Sequence, residues 1–136
     1  MKENKSVQPT NCACGSVKSE GPTLIFACSG AADVGGVSDQ AARKLSAEGT
    51  GKMFCLAAIG GGIQSYLEST DKAGKILAID GCSVCCAKHV LEEAGFMEFK
   101  HIRLTDLGLV KGKTGITPEA IEIVAQAGRN ALSEKG

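Results

Sequence analysis

Seven cysteines stand in a chain of 136 residues, and their positions suggest what chemistry they serve. Thiolates are the preferred soft ligands of zinc and copper(I), and close pairs of thiols also support disulfide exchange. Cys28 closes the apolar run Thr23-Leu24-Ile25-Phe26-Ala27-Cys28. Cys55 lies within the run Lys52 to Ile59, and Cys82 follows Lys75-Ile76-Leu77-Ala78-Ile79-Asp80 after a single glycine. Runs that are continuously apolar and end at glycine-bearing turns read as strands buried on both faces. In a parallel sheet all carboxyl ends share one edge, where open α/β folds place their sites. Cys28, Cys55 and Cys82 are therefore expected at one rim. Cys86 joins them, four residues beyond Cys82 at the start of the next helix, where the helix dipole favours thiolate.

The remaining cysteines read differently. A helix over 83–94 buries Val84, Ala87, Val90, Leu91 and Ala94 on its wheel. That places Cys86 at the inner border and turns Cys85 outward beside Lys88, His89 and Glu92. Cys12-Ala13-Cys14 lies in a polar N-terminal stretch, and a pair of ligands there is dispensable to a folded site. His89 and His101 show no metal-ligand spacing and read as solvated surface residues.

The elements that must position these thiols follow from the periodicity. Apolar runs alternate with amphipathic stretches at 38–47, 63–69 and 83–94. A polar–apolar alternation at 98–104 suits an edge strand. The last helix has the clearest start: Thr117 as N-cap, Pro118 at N1, and a stripe of Ile121, Val124, Ala125, Gly128 and Leu132. The expected fold is α/β, a single three-layer domain. Its small, mostly parallel four-stranded sheet is Rossmann-like or flavodoxin-like, with helices on both faces. Residues 1–22 lack periodicity and read as a flexible tail, leaving 23–136 as the domain.

Composition excludes several classes. Lys+Arg and Asp+Glu each total 15, a balance without the electrostatic footprint of a nucleic-acid or anionic-membrane binder. No run approaches the roughly 18 apolar residues of a membrane span. The N-terminus has no apolar core of a secretory signal, so a cytoplasmic location is expected, where thiols stay reduced. A phosphate-binding thiol enzyme is disfavoured because no Lys or Arg lies between Cys28 and Asp39. Gly30, Gly35 and Gly36 do not give dinucleotide-binding spacing. An iron–sulfur cluster ranks below zinc because no close run of three cysteines with a remote fourth is present.

The run Ile79-Asp80-Gly81-Cys82-Ser83-Val84-Cys85-Cys86-Ala87 resembles the signature of the DGC-domain family of zinc-binding proteins, named for its Asp-Gly-Cys motif. Cys28-Ser29-Gly30 looks like that family's first cysteine motif and Cys55-Leu56 like its second. The similarity runs from Pro22 to the C-terminus. The resemblance implies zinc chelated by Cys28, Cys55, Cys82 and Cys86, the set that the strand ends select, and implies no particular reaction. Cys85 departs from the pattern by adding a Cys82-x-x-Cys85 spacing. Two readings follow. One is a zinc-binding protein whose four thiolates close the coordination sphere. The alternative is a thiol/disulfide redox protein, or redox-controlled metal handling, built on Cys82, Cys85 and Cys86.

Overall fold

A computed structural model describes residues 20–134. The expected tail, with Cys12 and Cys14, lies outside the described residues apart from its last three positions. Of these, Pro22 accepts a hydrogen bond from the Gly74 amide at 2.8 Å.

Among the described residues four strands are formed: β1 (Thr23–Ala27), β2 (Lys52–Met53), β3 (Lys75–Asp80) and β4 (Lys100–Arg103). The helices are α1 (Asp33–Ala47), α2 (Leu56–Gly60), α3 (Gln64–Asp71), α4 (Cys86–Glu93) and α5 (Pro118–Ser133). A 3-10 turn at Leu104–Leu107 follows β4. All strand pairs are parallel, in the order β2-β1-β3-β4. This is the flavodoxin-like order rather than the Rossmann one. The connection reverses between β1 and β3, the place where such sheets open a crevice at their carboxyl ends.

The layers follow from strand alternation. Ile25, Ala27, Leu77 and Ile79 face α1 and α5, where they meet Val37, Leu45, Val124 and Ala125. Leu24, Phe26, Ile76 and Ala78 face the other helices, where they meet Ile59, Ala87 and Leu91. Helices thus cover both faces, and β1 and β3 are buried almost throughout, as their unbroken apolar runs require. The α5 N-terminus forms as expected: the Thr117 hydroxyl accepts from the Ala120 amide at 3.1 Å, with Pro118 following it.

Three elements differ from the sequence expectation. α1 starts at Asp33, so the glycine pair Gly35–Gly36 is helical. The half-buried Asp33 carboxylate ties that first turn down. It accepts from its neighbour Val34 and from the amides of Gly112, Thr114 and Gly115 at 2.7–3.1 Å. Those amide bonds hold its carboxyl below the usual range, Gly112 contributing most. The second run splits: β2 is two residues long, and Leu56–Gly60 is helical. A short apolar run fits a buried helix as well as a strand. Finally, α4 starts at Cys86, three residues later than the wheel assumed.

Candidate metal centre

Each predicted ligand sits at or just beyond the carboxyl edge of the sheet. Cys28 follows β1 directly, and its amide donates to Ile79 in β3 at 2.9 Å. Cys55 is the exposed N-cap residue of α2, beyond β2. Cys82 lies two residues past β3, half-buried against the α1–α5 side of the core. Cys86 is the first residue of α4 and is exposed. The Cys86 thiol is pushed up from its ordinary pKa, first by partial burial of the sulfur and then by Cys28, Asp80 and Cys82. Cys28 also lies within hydrogen-bonding reach of it. Cys28 and Cys86 are therefore neighbours at the β1/β3 switch point, while Cys82 acts on Cys86 only through charge, and among the described residues these three sulfurs do not all lie within 4.8 Å of one another. Cys55 stands exposed at the exit of the neighbouring strand. Thiols of this kind, drawn onto one ion, would suit zinc or copper(I).

The wheel is overturned for the adjacent pair. Cys85 is buried and Cys86 exposed, the reverse of the expectation. Cys85 precedes α4 as its N-cap residue in the left-handed region, at φ 57°, so a helical repeat does not apply to it. The turn is closed by the Cys85 amide donating to the Cys82 carbonyl at 3.1 Å. A non-glycine residue in this conformation costs about 1 kcal/mol or more and is held only by its surroundings.

Those surroundings contain a group that the spacing of residues did not reveal. Asp80 ends β3 with its side chain fully buried. Its carboxylate accepts from the amides of Ala87 at 2.7 Å and Lys88 at 3.0 Å, and it meets His101 Nε2 at 2.8 Å. The strand thus supplies the cap that the Cys85 side chain does not provide for α4. The register pairs Ala78 with His101 and Asp80 with Arg103, which sets these side chains on the α4 face of the sheet. Asp80, Cys85 and His101 offer ligand atoms all within 4.8 Å of one another, enough to hold a metal ion. The expectation that His101 is a solvated bystander is therefore corrected: it is half-buried against Asp80. The signal in the sequence was the i, i+2 spacing of His101 and Arg103 on an edge strand. The spacing did not tell which of its faces a helix covers.

The DGC domain profile matches residues 24–127, from the first residues of β1 to the middle of α5. The chain belongs to the DGC-domain family. A 31% identity over 88 residues relates this DGC domain to the "Anaerobic and virulence modulator AnvM" of Pseudomonas aeruginosa, covering 65% of this chain and 67% of that protein. No solved structure matches the chain. Each letter of the DGC motif has a physical task here. Asp80 caps α4 from the end of β3. Gly81 lets the first turn of α1 approach, since a Cβ there would lie 2.8–3.0 Å from the backbone of Val34 and Gly35. Cys82 then places a half-buried thiol two residues past β3, against the α1–α5 side of the core.

Proposed function

We propose that this DGC domain is a zinc-binding protein whose ion is held by Cys28, Cys55, Cys82 and Cys86. The observation that supports the reading is the placement of Cys28, Cys82 and Cys86 just past the carboxyl ends of β1 and β3, with Cys28 within hydrogen-bonding reach of Cys86. Cys55, exposed at the head of α2, is the fourth ligand. Four thiolates leave no open position for water, so the centre ties β1, β2, β3 and α4 together rather than turning over a substrate. AnvM is named a modulator. A metal-stabilised domain suits that kind of role, with a cytoplasmic setting that keeps the thiols reduced and no nucleic-acid partner. Among the described residues no helix is long and apolar enough to cross a membrane.

The test is elemental analysis of protein purified without added metal, with free thiols counted before and after chelation. The rim is expected to contribute one zinc per chain, so Cys86→Ser should lower the metal content by one per chain. Retention of a full complement of metal in Cys28→Ser and Cys86→Ser would overturn the reading. The redox alternative is favoured by one observation, the tight turn that joins Cys82 to a strained Cys85. A reversible Cys82–Cys85 disulfide in protein that never held metal would select it.

A further inference from the structure

We propose that Asp80, Cys85 and His101 form a second metal site, for a divalent ion of borderline softness such as Zn²⁺, with one coordination position open. It uses none of the four rim cysteines. The three ligands come from three elements: the last residue of β3, the residue before α4, and the second residue of β4. Their ligand atoms already lie within 4.8 Å of one another. Ligands on one zinc sit about 2.0–2.3 Å from it, so closing this set onto an ion needs shifts of about an ångström. The set has one sulfur, one nitrogen and one oxygen donor, the mixture that zinc accepts and that harder ions such as Mg²⁺ do not select.

The surroundings are those of an oriented ligand set. The Asp80 carboxylate is fixed by two α4 amides, as the supporting bonds of a metal ligand are. The backbone of Cys85 is held in the left-handed region and its side chain is buried. Arg103 lies beside the group, Nη1 3.8 Å from Cys85 Sγ, and does not forbid a cation. Its charge is matched by Asp106 at 3.1 Å, which leaves the carboxylate of Asp80 and a thiolate of Cys85 to balance a divalent ion. Binding displaces the Cys85 thiol proton, and the neutral His101 ring moves its proton from Nε2, where it bonds Asp80, to Nδ1, so that Nε2 can meet the ion. Three protein ligands leave a fourth position for water or a small anion. Arg103 Nε, buried and without a hydrogen-bond partner among the described residues, is the donor that such a ligand would meet.

The test is ¹¹³Cd NMR of the full, reduced chain, alongside cobalt titration. Wild type loaded with excess cadmium should give two resonances, one from a sulfur-rich centre and one shifted toward mixed sulfur, nitrogen and oxygen ligation. His101→Ala should erase the mixed resonance alone, and Cys28→Ser/Cys86→Ser should erase the sulfur-rich one alone. In that double variant Co²⁺ should bind at one per chain with a single-thiolate charge-transfer band. Azide should shift that spectrum, about tenfold more weakly in Arg103→Met. Only a sulfur-rich resonance in wild type, or a mixed resonance that survives His101→Ala, overturns the second site. Loss of the sulfur-rich resonance alone from wild type would overturn the rim centre instead, so the two failures are separable.

Discussion

Replacing Asp80 by alanine should destabilise the metal-free domain by about 2.5–6 kcal/mol. The carboxylate is fully buried and accepts three hydrogen bonds, from the Ala87 and Lys88 amides and from His101. Cys85 offers no side-chain substitute at the α4 N-terminus. The Ala87 amide bond is buried, so the orphaned donor bears roughly 1–3 kcal/mol. The Lys88 and His101 partners are only part-buried and regain some water, adding roughly 1–2 kcal/mol together. Loss of the negative charge at the positive end of α4 adds about 0.5–1 kcal/mol. Asp80→Asn keeps one acceptor oxygen and turns its amide group toward a donor, so about half of that loss is expected. For a domain with a total stability of about 5–15 kcal/mol this is a large fraction. Urea unfolding followed by far-UV circular dichroism, in chelator to remove any metal contribution, measures it as a shift in midpoint at constant slope. In thermal melts the alanine variant should fall by roughly 10–20 °C. A loss below about 1 kcal/mol in Asp80→Ala would refute the capping role. Equal losses in Asn and Ala variants would assign the effect to charge rather than to the acceptors.

Gly81→Ala should cost about 1–3 kcal/mol, because the new methyl meets backbone of α1 that cannot rotate away; unchanged thermal melts would show that α1 can shift. Thr117→Ala should cost about 1 kcal/mol through the lost α5 cap, read by urea unfolding, and a neutral result would move that helix start elsewhere. Arg129 pairs with Glu48 at 2.6 Å and also with Glu122, and holds the Glu48 carboxyl down at about 2 from its ordinary 4.5. A depressed carboxyl stabilises the fold fully above pH 4.5 and loses that contribution as pH falls toward 2. Melts between pH 5 and pH 2 should therefore fall more steeply in wild type than in Arg129→Met, and parallel curves would rule the pair out as a source of acid sensitivity.

Much of this molecule is legible in the order of its residues. Continuous apolar runs ending at Ala27 and Asp80, alternating with amphipathic stretches, read as strands covered on both faces, which points to a parallel sheet with helices on each side. From that alone Cys28 and Cys82 fall at the carboxyl rim, because parallel strands share one edge. The α5 start was equally local, since Thr117 and Pro118 act within one turn. Tertiary structure decided the rest. The strand order depends on how the crossovers pack, which no single segment encodes. Where α4 begins depends on a carboxylate that reaches it from β3, so the phase that separates Cys85 from Cys86 could not be read from a wheel. His101 gained its place from the pairing of β4 with β3, a contact between residues 21 positions apart along the chain. Periodicity records which side of an element is apolar; which charged or sulfur-bearing side chains meet across elements is set only when the elements are docked.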